Sequence, residues 1–200
     1  MRCRILAATV LVAVTATFAA ADDPKAQAAA DQQKAEMDAM MKAATPGDAH
    51  KKLGPMVGTF NCDVKMFMQP GAPPTAGGGV SVNTWALDGR WVQQQFTGMF
   101  MGMPFSGIGY TGYDNIKKKY VGTWMDTMTT SVMISSGTAE PDGKSYTFTS
   151  TMDDPMTGKA MPVNEKVTVI DGDHHLLEMW GPGPDGKMYK TMEILYSRKK

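Results

Sequence analysis

Met99, Met101 and Met103 recur at every second position in FTGMFMGMPFSGIGYTGY (96–113). Thioethers are soft donors, and with the thiol of Cys62 they form a set suited to Cu(I). The same residues serve equally as flexible apolar packing or as the wall of a ligand pocket. Nineteen methionines are spread along the chain, Met37, Met40 and Met41 among them. So broad an enrichment points to adaptable packing or a pocket lining ahead of one designed metal site. If residues 90–103 form one strand, Val92, Phe96 and Phe100 share a face. Trp91, Gln93, Gln95, Thr97, Met99, Met101 and Met103 then share the other.

GIGYTG (107–112) matches the spacing of a dinucleotide fingerprint, but that motif works only where a strand hands over to a helix. Here Tyr113-Asp114-Asn115 and three lysines follow, the chemistry of a hairpin turn. On a strand, Gly107 and Gly109 instead leave a bare lane, which Trp91 or Trp124 is placed to fill. His174 and His175 are adjacent, so only one of them can face an interior. His50 stands ready to cap or brace the approach to the first strand. Asp126, Asp153, Asp154 and Glu178 are generic acids. No nucleophile elbow, H-E-x-x-H or Cys–His pairing is present. No catalytic residue and no cofactor is assigned; an enzyme would have to use Asp126 or a histidine.

The elements that position these groups are read from periodicity. Residues 24–44 are rich in the helix formers Ala, Gln, Lys and Met, and Pro46-Gly47 ends them. Beyond His50 the period is two. Phe60, Cys62, Val64, Met66 and Met68 share one face, as do Tyr146 and Phe148, and Met188, Met192, Ile194 and Tyr196. Turn signals such as Leu87-Asp88-Gly89, Pro141-Asp142-Gly143 and Pro184-Asp185-Gly186 separate roughly ten short antiparallel strands. A sheet of that many strands removes its exposed edges most simply by closing into a barrel; a β-sandwich is the alternative.

The first residues set the compartment. Arg2 and Arg4, an apolar run from Ile5 to Val14, and Ala19-Ala20-Ala21 have the layout of a signal peptide cleaved after residue 21. The expected organisation is therefore signal 1–21, a helical or flexible leader 22–47, and a β-barrel domain 48–200. The expected location is periplasmic or secreted. Two arginines leave with the signal, so 18 basic and 20 acidic side chains remain. That balance gives no basic stripe for nucleic acid, and no later apolar run is long enough to span a membrane. Cys62 is then the one remaining cysteine and is expected to be buried.

The order of landmarks resembles a known bacterial family. His50-Lys51-Lys52-Leu53, Val57-Gly58-Thr59-Phe60 and Leu87-Asp88-Gly89-Arg90-Trp91 open the match. Gly102-Met103-Pro104-Phe105, Gly107-Ile108-Gly109-Tyr110, Gly112-Tyr113-Asp114-Asn115 and Trp124-Met125-Asp126 continue it, and Met192-Glu193-Ile194 with Arg198 closes it. These residues resemble the family catalogued as domain of unknown function 1579, which carries no established activity. The resemblance implies a single antiparallel, lipocalin-like β-barrel. It further implies a first-strand aromatic, here Phe60 where relatives often carry tryptophan, beneath a last-strand arginine, here Arg198. Such a cation–π contact contributes about 0.5–2 kcal/mol. Related barrels bind haem through one axial imidazole. Barrels of this size can enclose one cavity, so the expected role is non-catalytic binding of a small apolar ligand. The expected lining is Met66, Trp91, Met101, Met103, Tyr110 and Trp124. The alternative, a soft-metal site, would use Cys62, Met99, Met101 and Met103.

Overall fold

Alternation over runs of 7–12 residues is what a strand needs to bury one face and wet the other. The computed structural model describes residues 24–154 and 157–200; the signal-peptide reading of 1–21 lies outside them. Pro24–Ala44 form helix α1. Side-chain bonds of 3.0 Å from Gln27 to Asp31 and from Gln32 to Glu36 link its successive turns, and none of its residues is buried. The chain divides into a unit ending at Met41 and a second covering 42–200.

The second unit holds a short helix α2 (Asp48–Lys51), a 3-10 turn η1 (Gly54–Met56) and ten strands. These are β1 (Gly58–Met66), β2 (Thr75–Ala86), β3 (Trp91–Phe100), β4 (Met103–Asp114), β5 (Lys119–Asp126), β6 (Met133–Ala139), β7 (Ser145–Asp153), β8 (Ala160–Val169), β9 (His174–Pro182) and β10 (Met188–Arg198). Each pairs antiparallel with the next, and β1 pairs with β10, so the barrel is closed. Closure leaves no strand edge unpaired.

Register decides which side chains face inward. Phe60 lies opposite Ser81 and Arg198, Ser81 opposite Phe96, and Phe96 opposite Gly107. Followed around the sheet, this row puts Cys62, Val92, Trp124, Phe148, Val163, His175, Ile194 and Tyr196 on the inner face. Most of these are among the most buried residues of the chain.

One end of the barrel is plugged. Leu53, fully buried, packs with Val92, Tyr120, Tyr146 and Phe148, and Met56 and Val57 complete the contact. Tyr120 Oη donates to Ala49 O (3.1 Å) and Tyr146 Oη to Lys52 O (3.0 Å), which fixes α2 over the opening. His50 braces this segment, as expected: it is buried, and its Nδ1 accepts from Gly47 N at 3.1 Å. At the same end, Asn115 Nδ2 donates to the carbonyls of Ala43 (3.0 Å) and Thr45 (2.8 Å).

Two local features depart from simple alternation. Residues 90–103 are not one strand, because Met101 and Gly102 both take positive φ (49° and 79°). They form the two-residue turn whose twist suits a hairpin, so Phe100 pairs with Met103 across it. Met103 therefore returns on the opposite face from Met99. On β10, the register shifts between Lys190 and Met192. This bulge turns Met188 away from the face shared by Met192, Ile194 and Tyr196, and it sets Lys190 outside against Glu178 and Glu193.

Candidate functional site

The plugged half of the interior is finished with polar groups that satisfy one another. Asn83 Nδ2 donates to Met56 O (2.8 Å), Ser81 Oγ donates to Asn83 Oδ1 (2.7 Å), and Gln94 Nε2 donates to Ser81 Oγ and Tyr196 Oη (both 3.1 Å). Buried polar atoms paired in this way carry little penalty. Burial pushes the Cys62 thiol up to about 12, so at neutral pH it is protonated and unreactive. His175, 4% exposed, stacks on Tyr196 (4.2 Å between centroids) and meets the edge of Phe60 (4.7 Å). His174 points outward and pairs with Asp171 at 2.9 Å.

The other half is built differently. Register puts Met66, Met103, Met133, Met152, Met161, Met179 and Met192 on the inner face near the strand ends away from the plug. Met66, Met192 and Met179 are direct cross-strand neighbours in one row, and Met152 faces Met161 in another. All seven keep partial or full exposure, Met103 at 49% and Met152 at 41%. Among them stand Phe105 and Trp124, both half-buried and packed against the deeper core. Trp124 fills the glycine lane: a Cβ on Gly107 would lie 2.2 Å from its Cζ2, and one on Gly109 2.9 Å from its Cε3. Its Nε1 donates to Asp126 Oδ2 at 2.9 Å, which fixes the indole.

The expected ligand lining therefore divides. Met66, Met103 and Trp124 share the inner face of this open half. Met101 sits in the hairpin turn at 64% exposure. Tyr110 is one residue out of phase with Gly109 and points outward. Trp91 also lies on the outer face, over Gly112, where a Cβ would come within 2.7 Å of its ring. It lines a crevice of about 170 Å³ at the plugged end with His50, Arg90, Tyr113 and Asn115.

The soft-metal set does not converge. Cys62 is inside the barrel, Met99 outside at 52% exposure, and Met101 in the turn. Asp126 is engaged within its own strand and turn. Its oxygens accept from Trp124 Nε1 and from Met128 N (2.9 Å). The three histidines lie at the plugged end, the far end of the barrel from Asp126. Haem fits poorly, because His175 is 4% exposed, stacked on Tyr196 and set against the edge of Phe60.

Sequence reasoning passed over Met133, Met161, Met179 and Glu165. The signal for the last was legible: in MPVNEKVTV, Met161, Val163, Glu165, Val167 and Val169 alternate onto one face, and one of the five is an acid.

Ten antiparallel strands closed on themselves, plugged at one end and lined with exposed apolar groups at the other, define a lipocalin-like barrel. Residues 45–198 match the family described as Protein of unknown function (DUF1579), and the chain belongs to that family. Among solved structures, Rv2717c from M. tuberculosis is similar at 15% identity and TM-score 0.56, over 78% of this chain and 100% of its own. The S-type phycobiliprotein lyase CPES from Guillardia theta is similar at 12% identity and TM-score 0.51, over 78% and 99%. At such identities the likeness concerns the fold alone. No curated protein matches the chain.

Proposed function

We propose that this protein binds a small, largely apolar molecule in the open half of its barrel, without catalysing a reaction on it. The reading includes export: a signal peptide at 1–21 would deliver the barrel to the periplasm or the exterior. The observation that carries it is the asymmetry of the inner wall. One end buries Leu53 completely, while inward-facing methionines at the other keep exposed surface. Apolar surface left open on a concave wall is a binding feature. Methionine lets such a wall adapt, because its thioether is polarizable and its side chain turns about three bonds.

The test uses Trp124, the tryptophan that register sets inside the open half; Trp91 and Trp180 lie on the outer face and Trp85 near the plugged end. Titration with the uncharged probe N-phenyl-1-naphthylamine is expected to saturate at one site with a Kd on the order of micromolar. Tryptophan emission is expected to be quenched on binding, and the quench to vanish in Trp124→Phe. A linear, non-saturating signal, or a quench that persists in that variant, would overturn the reading.

A further inference from the structure

The ligand-binding reading leaves the chemistry of the ligand open, and one inner-wall residue narrows it. Glu165 on β8 lies opposite Phe148 on β7 and Met179 on β9. Among the described residues its one side-chain partner is Ser150, whose Oγ donates to Oε1 at 3.3 Å. Burial raises its carboxyl above the ordinary range, yet the residue keeps some exposed surface. A carboxylate offers about four lone-pair sites, so most of its accepting capacity is unused.

Among the described residues, no cation answers it. Followed through all ten strands, the inner-face register contains no lysine. Its basic groups are His175 and Arg198, both at the plugged end. Arg198 is already committed to the carbonyls of Pro55, Val57 and Gly172 and to Asp173. Asp126, the other inner-face acid, accepts one hydrogen bond on each oxygen, from Trp124 Nε1 and Met128 N, whereas Glu165 accepts from Ser150 alone among the described residues. The outer face is the reverse, with Lys65 and Lys190 paired to Glu178 and Glu193.

Resting on the binding role proposed above, we propose that the ligand carries a positive charge and that Glu165 receives it. The class is an amphiphilic amine: an ammonium beside the Glu165 carboxylate, and an apolar body against the methionines, Phe105 and Trp124. A buried carboxylate without a counter-charge is costly, and an arriving ammonium removes that cost through a charge-assisted hydrogen bond. The surrounding wall suits the same guest, because aromatic faces attract cations. A ligand ending in a carboxylate would meet like charge and be rejected.

Competition against bound N-phenyl-1-naphthylamine tests this with dodecylamine, dodecanol and dodecanoate, all below their micellar concentrations. Dodecylamine is expected to bind at least about tenfold more tightly than dodecanoate. In Glu165→Gln, which keeps the side chain's shape, the amine is expected to weaken about tenfold and dodecanol to be unchanged. Near-ultraviolet circular dichroism confirms that the variant is folded, and Glu165→Met gives a second variant matched to the wall. Equal competition by amine and carboxylate, or an amine affinity unmoved by both variants, would overturn the charge assignment and leave the apolar binding role standing. Failure of the probe itself to bind would overturn both.

Discussion

Arg198→Met is expected to lower the unfolding free energy by about 3 kcal/mol. The guanidinium joins three parts of the plugged end. Nη1 donates to Val57 O (2.9 Å), Nη2 to Pro55 O (3.0 Å) and Nε to Gly172 O (3.2 Å), while Asp173 Oδ1 lies 3.3 Å from Nε. Its Cζ sits 4.8 Å from the centre of the fully buried Phe60 ring, the aromatic–arginine pair expected from the family resemblance. Gly58 makes room for it: φ is +143°, and a Cβ there would fall 2.1 Å from Nη1. Hydrogen bonds from a charged donor contribute about 1.5–3 kcal/mol when buried and less where water competes. Three partly exposed bonds plus a cation–π contact therefore come to about 3 kcal/mol. Methionine keeps most of the apolar stem, so the loss reports the polar clamp. Urea denaturation measures it, and hydrogen exchange at residues 53–57 should accelerate in parallel. A change under 1 kcal/mol would show that Leu53 and the tyrosine bonds hold the plug unaided.

Acidification from pH 7 to 4 is expected to remove about 3 kcal/mol through His175 alone. Burial is the main reason its folded-state pKa falls from 6.5 to about 4, and the nearby positive charge of Arg198 adds to it. Its Nδ1 is buried and has no hydrogen-bond partner among the described residues, and its ring lies against Tyr196. In the unfolded chain the imidazole takes up a proton near 6.5, whereas the folded one resists until about 4. Between those values the unfolded state binds more protons, so stability falls as pH falls. It is fully present above 6.5 and exhausted by about 4. The lowered carboxyls of Asp142 and Asp171 add their losses below that window. Urea unfolding across the window should show a clearly shallower slope in His175→Leu than in the wild type, the remainder coming from His50, whose pKa burial also lowers. Parallel slopes in the two proteins would remove His175 from the explanation.

Much of this fold was legible in the residue order. FNCDVKMFM and KSYTFTSTM each show a two-residue period, and their even spacing by turn residues led to a closed sheet. The glycine lane at Gly107 and Gly109 announced a large neighbour, and Trp124 occupies it. Side-chain orientation was harder. Alternation says that Met99 and Met103 share a face only while the strand runs on. The left-handed pair Met101-Gly102 reverses the chain between them. The bulge at Thr191 had the same effect on Met188, and no residue type there signals it. The divided fate of Met66, Trp91, Met101, Met103, Tyr110 and Trp124 follows from this, because inside and outside are set by closure and register together. Glu165 was missed because Asn164 and Lys166 flank it, which makes the acid look like part of a polar stretch.

The binding role rests on which methionines a guest touches, and methyl-¹³C-methionine spectra of the protein titrated with N-phenyl-1-naphthylamine observe that directly. The methyl resonances of Met66, Met133, Met161, Met179 and Met192 should shift together and saturate at one equivalent, with those of Met99, Met101 and Met125 unmoved. Shifts confined to the outer methionines, or none at saturating probe, would contradict a binding chamber in the open half of the barrel.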